Sequence, residues 1–259
     1  MRINVARPRG LGRWGLCLIG ICYGCESSVE TLDFEVVRTL PHDSAAYTQG
    51  LVHSGNHFFE STGRYGESEV RRVEVATGEV VQSTSISDDH FGEGLALVDD
   101  RLIQLTWKAG LAFVYDVTTL EPVDTLTYEG EGWGICYDGT HLYMTDGTNR
   151  LYRRDPATFD VLDELRVRRD GFSVQNLNEL ECVGNDVYAN QYLTDKIVRI
   201  DKNTGTVVSE LDAYSLTLSS ERPPDAGAVL NGIAYDATSG NWFLTGKLWP
   251  KVFEVRFAN

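Results

Sequence analysis

The chain has 259 residues, of which 23 are Lys or Arg and 38 are Asp or Glu, so its formal net charge is −15 at pH 7. This acidic surplus argues against a nucleic-acid partner, because phosphate binding needs a face rich in Lys and Arg. The chain is 42% hydrophobic, has 25 Gly and has no window of eighteen uncharged apolar residues, which excludes a disordered chain and an ordinary membrane-spanning helix.

Residues 1–25 have the pattern of an export signal. Four arginines and no acidic residue accompany a short apolar run that ends at Cys25, and a basic region followed by a short apolar region is typical of a signal peptide. The segment Cys22-Tyr-Gly-Cys25 resembles a bacterial lipobox, although Cys22 stands where an aliphatic residue is usual. We therefore expect a signal of lipoprotein type with Cys25 as the candidate lipidated residue. A buried N-terminal helix is the alternative.

This interpretation places the mature protein outside the cytoplasm. We expect it in the periplasm of a bacterium, or held at the outer membrane through a lipid on Cys25, with no other membrane contact. Two further cysteines, Cys136 and Cys182, lie in apolar contexts that resemble strands. Two buried free thiols and one disulfide are both compatible with that pattern.

A short unit recurs five times from residue 49 onward. Each copy opens with a polar residue and a short strand, continues through a tight turn rich in Gly, Asn and Asp, and enters a second apolar strand. The first strands open at Gln49, Glu93, Glu131, Asn178 and Asn231.

A third strand follows in every unit, and a fourth follows in the first four units. Units of four short strands are typical of β-propeller blades. The fifth unit lacks a fourth strand, whereas residues 32–40 have the pattern of one. We therefore predict an all-β, five-bladed β-propeller, a single domain over residues 26–259, closed by residues 32–40 pairing with the last blade. A two-sheet sandwich is the alternative, but it does not explain the position of that strand.

The first strand of each blade lines the axis of a propeller, so the polar residues that open these strands should meet at one mouth. Glu93 and Glu131 would lie on neighbouring blades, where like charges raise the pKa of at least one carboxyl group. A carboxyl group among indoles also favours its neutral form, which suits a proton shuttle near neutral pH. Residues beside the first strands or just after the second strands should reach the same mouth: Trp107, Trp133, Tyr192, Lys247 and Trp249.

A purely structural interpretation of these residues is also open. Polar residues before a glycine at a strand start often serve only backbone groups, and each Trp is a common interior residue of a blade. A metal site has little support, because the five histidines form no His-x-His or His-Glu-x-x-His pair. The chain also has no Gly-x-Ser-x-Gly elbow and no phosphate-binding glycine loop. We expect neither a metal nor a cofactor.

Several long motifs follow one another in the order found in one known family. They are Tyr47-Thr-Gln-Gly-Leu51, Phe91-Gly-Glu-Gly-Leu95, Tyr128-Glu-Gly-Glu-Gly-Trp-Gly134, Leu177-Asn-Glu-Leu-Glu181 and Thr245-Gly-Lys-Leu-Trp-Pro-Lys251. Through these motifs the chain resembles the plant and bacterial type of glutaminyl-peptide cyclotransferase, also called glutamine cyclotransferase. The resemblance implies a five-bladed propeller without zinc.

The resemblance also implies a reaction. The enzyme would be an acyltransferase (aminoacyltransferase) that converts the N-terminal glutamine of peptides or proteins to pyroglutamate and releases ammonia. We expect it to act as a monomer. By similarity Glu93 would relay the proton and Lys247 would polarise a carbonyl oxygen. Substrate binding would fall to Gln49, Trp107, Trp133, Asn178, Tyr192 and Trp249, with Tyr192 standing where the family has a Trp.

Two other functions are compatible with the repeat pattern. One is an exported propeller that binds peptides or sugars without converting them, because fold alone does not determine function. The other is a propeller hydrolase, which needs metal-binding carboxylates around the axis, whereas Gln49, Asn178 and Asn231 are poor ligands for that purpose. Glu93 separates the cyclase from the binder, since a binder does not need an acid at that position.

Overall fold

Strands account for most of the chain. The structure is a computed structural model that describes Met1 and residues 29–258, so the predicted signal and Cys25 lie outside the described residues. One short α-helix, α1 (Tyr214–Ser219), occurs in the described part. No helix there is long and apolar enough to cross a membrane.

The strands form units in which neighbours in the chain are antiparallel neighbours in the sheet. A first strand, β1 (Glu30–Pro41), precedes these units. The first unit contains β2 (Thr48–Ser54), β3 (His57–Thr62), β4 (Glu69–Glu74) and β5 (Val80–Ser85). The second contains β6 (Gly92–Val98), β7 (Arg101–Thr106), β8 (Leu111–Asp116) and β9 (Pro122–Thr127). The third contains β10 (Ile135–Tyr137), β11 (Leu142–Thr145), β12 (Arg150–Arg154) and β13 (Val161–Arg166).

Two insertions that the repeat pattern does not predict separate the last units. A small hairpin, β14 (Arg168–Arg169) and β15 (Phe172–Ser173), precedes the fourth unit, and α1 precedes the fifth. The fourth unit contains β16 (Leu177–Val183), β17 (Asp186–Gln191), β18 (Lys196–Asp201) and β19 (Val207–Asp212). The fifth contains β20 (Leu230–Asp236), β21 (Asn241–Gly246) and β22 (Lys251–Ala258).

Strand β1 completes the fifth unit, as predicted for residues 32–40. It runs antiparallel to β22, with Val36 opposite Val255. The first residues of β1 also pair in parallel with β19, where Glu30 lies opposite Ser209. This second pairing was not predicted, and it joins the fourth and fifth units into one eight-stranded sheet.

The turns between third and fourth strands need a left-handed residue. Gly78 and Gly205 have φ values of 70° and 71° there, which glycine adopts without strain. The equivalent residues of the second and third units are Leu120 and Phe159, with φ values of 54° and 63°. Both side chains are buried in the core, and this burial offsets the backbone strain.

In the part of the chain that the structure describes, the hydrophobic core consists of five clusters, each between two successive units. Phe59 of the first unit packs with Leu95 of the second, and the series ends where Phe243 of the fifth unit packs with Leu51 of the first. The first strands of the units contact one another in the same cyclic order, β2, β6, β10, β16, β20 and back to β2. The residues that open these strands are therefore brought to one place.

The inner strands approach too closely for side chains at some positions. A Cβ atom on Gly94 would lie 2.7 Å from the amide nitrogen of Ile135, so only glycine fits. Two of these strands are also linked covalently, because Cys136 of β10 and Cys182 of β16 form a disulfide with a Cα–Cα distance of 5.5 Å. Of the two states that the sequence left open, the structure has the disulfide.

Candidate active site

A cavity of about 220 Å³ opens at one end of the inner strands. Side chains from all five units or the loops beside them reach it, because the residues that open the first strands and those that follow the second strands meet there. The structure brings together seven of the eight predicted site residues. The cavity is lined by Tyr47, Gln49, Phe91, Glu93, Trp107, Trp133, Asn178, Tyr192 and Lys247.

The first strand of the third unit begins later in the chain than predicted. Glu131 was expected to open its first strand, but β10 begins at Ile135, which lies opposite Met144. The residue that occupies the opening position is Trp133, and Glu131 lies outside the cavity lining. The prediction was wrong because glycines at both 132 and 134 allow two alignments of the repeat.

Trp249 is the predicted site residue that does not reach the cavity. Its side chain is fully buried in the core between the fourth and fifth units, and its Nε1 atom donates to the carbonyl oxygen of Ala228 at 3.2 Å. Leu248 has a φ of 61° and turns the chain at this point. Lys247 therefore faces the cavity while Trp249 packs inside.

Tyr47 and Phe91 line the cavity, although no role was predicted for them from the sequence. Each opens one of the family motifs and lies just before the first strand of its unit, two residues before a predicted site residue, Gln49 or Glu93. This place beside the cavity end of the strand is the signal that could have identified them. Phe91 occupies space beside Gly63, where a Cβ atom would overlap its ring.

The Glu93 carboxyl group is the central acid of the cavity. Burial raises its pKa well above the usual range, the nearby charge of Glu131 raises it further, and Lys247 opposes the shift. Among the described residues, none donates a hydrogen bond to this carboxyl group. A buried acid with a raised pKa and a free proton-transfer position is suited to general acid and base chemistry.

Lys247 is the cation of the cavity and is also buried. Its Nζ atom donates a hydrogen bond to Gln49 Oε1 and lies 4.7 Å from the centre of the Tyr47 ring and 5.5 Å from that of Tyr192. Burial lowers the pKa of Lys247 to about 8, against the opposing attraction of Glu93. The ammonium group therefore remains mostly protonated at pH 7 and loses its proton in mildly alkaline solution.

Two amide side chains of the inner strands, Asn178 and Asn231, differ in whether they line the cavity. Asn231 Nδ2 donates to the carbonyl oxygen of Thr48 at 3.0 Å and lies 3.5 Å from Gln49 Oε1. The Oδ1 atoms of Asn178 and Asn231 are both buried and have no hydrogen-bond partner among the described residues, and of these two residues Asn178 lines the cavity. Because buried polar atoms are rarely unpaired, Asn178 offers an acceptor to a molecule in the cavity.

Aromatic rings form most of the cavity wall. Phe91 lies between Tyr47 and Trp107, with centroid distances of 6.2 and 5.7 Å, and Trp133 contacts Tyr192 edge to face at 5.6 Å. Such a wall excludes water and suits a small, partly apolar group. The described residues contain no cluster of three or more His, Cys, Asp or Glu side chains that could hold a metal ion.

Comparison with known proteins agrees with this arrangement. The family model described as glutamine cyclotransferase matches residues 17–257. The chain belongs to the glutamine cyclotransferase family. A curated relative, the glutaminyl-peptide cyclotransferase of Arabidopsis thaliana, is 41% identical over 227 residues, which are 86% of this chain and 71% of the relative. The solved structure of the Myxococcus xanthus glutaminyl cyclase superposes with a TM-score of 0.84 at 38% identity and covers 89% of this chain and 98% of its own.

Proposed function

We propose that this glutamine cyclotransferase family member is a glutaminyl-peptide cyclotransferase, an acyltransferase that converts an N-terminal glutamine to pyroglutamate. The observation that carries the proposal is the Glu93 carboxyl group, which is buried, has a raised pKa, accepts no hydrogen bond from a described residue and faces the same cavity as Lys247. Family membership and the names of the two relatives support the choice of substrate.

The reaction requires one bond to form, one bond to break and one proton to be relayed from the attacking amine to the departing nitrogen. The α-amine nitrogen attacks the carbonyl carbon of its own γ-carboxamide, the carbon–nitrogen bond of the five-membered ring forms, and the bond to the amide nitrogen breaks. Glu93 takes a proton from the attacking amine and returns it to the departing nitrogen, which leaves as ammonia. No water is consumed, and holding the glutamine in a folded conformation accounts for much of the catalysis.

The other polar groups of the cavity have distinct tasks in this scheme. Asn178 Oδ1 accepts a hydrogen bond from the amine or carboxamide, and Gln49 orients the same end of the substrate. The Lys247 ammonium group stabilises the carbonyl oxygen as negative charge develops on it. The indoles of Trp107 and Trp133 and the phenol of Tyr192 wall the methylene groups and keep water from the amine.

We propose that the five units are the blades of a five-bladed β-propeller forming one domain over residues 26–259. The cyclic order of the inner strands and the five clusters between successive units support this architecture. The place of β1 as the outer strand of the fifth unit also supports it, because β1 supplies the fourth strand that this unit otherwise lacks. We expect a monomer, which light scattering coupled to gel filtration would test.

We also propose that the protein is exported to the bacterial periplasm and held at a membrane through a lipid on Cys25. The disulfide between Cys136 and Cys182 supports an oxidising compartment. Metabolic labelling with a fatty acid tests the anchor: the full-length chain should be labelled and a Cys25→Ser variant should not. Label on the variant would contradict lipidation at this residue.

One assay tests the proposed reaction. Purified residues 26–259 are incubated with a peptide that begins with glutamine, and mass spectrometry follows the loss of one ammonia; the same peptide with an acetylated N-terminus is the control. We expect loss from the free peptide alone, and no effect of a chelator. Loss no faster than the uncatalysed background would contradict the proposal, and peptide binding without turnover would favour a non-catalytic binder.

A further inference from the structure

Glu131 connects the two indole walls of the cavity. Its Oε2 atom accepts a hydrogen bond from Trp107 Nε1 at 2.8 Å and another from Trp133 Nε1 at 3.0 Å. Hydrogen bonds to an ionised carboxylate are stronger than those between neutral groups. One oxygen atom therefore fixes the relative position of two rings that belong to different parts of the chain.

The two indoles are otherwise held on opposite sides. Trp107 follows β7 and packs against Phe91 at 5.7 Å, whereas Trp133 precedes β10 and packs against Tyr192 at 5.6 Å. Each ring thus has an aromatic neighbour of its own. Glu131 lies outside the cavity lining and binds the Nε1–H edges of both rings.

Lys108 supports the same junction from the solvent side. Its Nζ atom lies 3.8 Å from the centre of the Trp107 ring and 3.8 Å from Glu131 Oε1. The cation therefore contacts the face of one indole while it neutralises the carboxylate that binds the edges of both. Glu131, Lys108, Trp107 and Trp133 form a connected group, which we call the indole clamp.

We infer that Glu131 is a positioning residue that sets the distance between the two indole walls and so the width of the cavity. This inference rests on the proposed cyclase function for its kinetic consequence, because the walls hold the glutamine side chain. The geometric part of the inference, that Glu131 holds the two Nε1–H groups, does not depend on that function. Glu131 itself does not reach the reacting atoms.

Kinetics with glutamine-initiated peptides test the inference in three variants. Glu131→Ala removes both acceptors, Glu131→Gln keeps an amide oxygen that accepts from the indoles, and Glu129→Ala removes an exposed acid on the same segment as a control. We expect Glu131→Ala to raise KM about tenfold, because wall contacts are made in both ground and transition states. A smaller change in kcat, shared by Glu131→Gln, should come from the loss of the Glu131 charge near Glu93. Glu131→Gln should recover most of the KM, and Glu129→Ala should match wild type.

A loss of correctly folded protein would lower kcat without raising KM, so the split between the two constants excludes a merely structural effect. An unchanged KM in Glu131→Ala, or a rise equalled by Glu129→Ala, would overturn the inference.

A second measurement does not depend on activity. Hydrogen exchange of the indole Nε1–H groups is followed by NMR, with Trp107→Phe and Trp133→Phe used to assign the two signals. We expect both groups to exchange at least about tenfold faster in Glu131→Ala than in wild type, because two hydrogen bonds are lost. Unchanged exchange would overturn the indole clamp. Faster exchange in a protein whose wild type has no cyclase activity would support the clamp and contradict the proposed function alone.

Discussion

Two acids on the inner strands, Glu93 on β6 and Glu179 on β16, are both buried but differ in their hydrogen bonds. Glu93 is 5% exposed and Glu179 is 1% exposed, and burial raises the pKa of both well above the usual range. Their hydrogen bonds differ. Glu179 accepts from the backbone amides of Leu51 at 3.2 Å and Ile233 at 2.7 Å, whereas no described residue donates to the Glu93 carboxyl group.

The difference separates a structural acid from a chemical one. Glu179 joins β16 to two other inner strands, β2 and β20, by accepting a hydrogen bond from one backbone amide of each. Glu93 leaves its oxygens free beside a cavity and a cation. A raised pKa alone therefore does not identify a catalytic group, because both acids have one; an unsatisfied position that faces a cavity does.

The largest predicted change of stability comes from Glu179. Replacing it with leucine keeps the volume and leaves the amides of Leu51 and Ile233 buried without an acceptor. Each unsatisfied amide costs about 1–3 kcal/mol, so we expect the free energy of unfolding to fall by about 2–6 kcal/mol. Denaturant unfolding measures it. A loss below about 1 kcal/mol would mean that Glu179 is not the structural link described here.

Lys247 gives the next largest effect, on the rate. Lys247→Met should lower kcat about 10²–10³-fold, because it removes the donor that stabilises the developing oxyanion. Since the pKa of Lys247 is about 8, wild-type kcat should also fall as the pH rises through that value. A kcat that is flat to pH 10, or an equal loss in the control variant Lys251→Met, would contradict this role.

The smallest effect concerns Glu181, which lies on the same strand as Glu179 at the far end of the axis. Burial raises its pKa to about 8, although backbone amides of Cys182 and Tyr235 donate to it. The unfolded value is about 4.3, so the protonated folded group stabilises the protein below that pH. This contribution is lost as the pH rises towards 8.

Glu181→Gln has no proton to lose at this position. We expect its unfolding free energy to fall less between pH 5 and pH 8 than that of wild type, as measured by urea unfolding at several pH values. Since the side chain is only partly buried by its exposed area, the difference should be modest. Equal pH dependence in the two proteins would show that Glu181 does not titrate in this range.

The architecture was accessible from sequence because its signals are local. Turn residues and alternating strands repeat in each unit. The last unit lacks a fourth strand, which residues 32–40 were predicted to supply, and Asp33–Pro41 pair with β22. The parallel contact between β1 and β19 was not accessible, since only three residue pairs form it and no repeat encodes it.

The site residues could be predicted in the units where the repeat can be aligned in only one way. Glu93, Asn178 and Gln49 each precede an inner-strand position that the pattern identifies, and all three line the cavity. In the third unit Trp133, and not the predicted Glu131, occupies the opening position, because the alternating glycines 132 and 134 permit two alignments of the repeat. Trp249 was misplaced because the left-handed backbone of the residue before it decides which way it faces, and leucine at that position gives no signal of such a turn.

The different roles of Glu93 and Glu179 could be recognised only from the structure. The motif that carries Asn178 also contains Glu179 and Glu181, and the sequence gives no sign that their oxygens accept amides from strands far along the chain. Long-range hydrogen bonds of this kind depend on the assembled fold. Only the hydrogen bonds seen in the structure therefore distinguish the structural acid from the chemical one.

The most direct test of this distinction is the turnover of Glu93→Gln, a change that keeps the size of the side chain and removes its acid. We expect a kcat at least about 10²-fold below wild type, because general acid and base catalysis contributes about 10²–10⁴-fold, with peptide affinity and unfolding free energy retained. Folded Glu179→Gln, measured in parallel, should retain most of its turnover. A Glu93→Gln protein that keeps more than about a tenth of wild-type kcat would contradict the assignment of Glu93 as the proton-transferring residue.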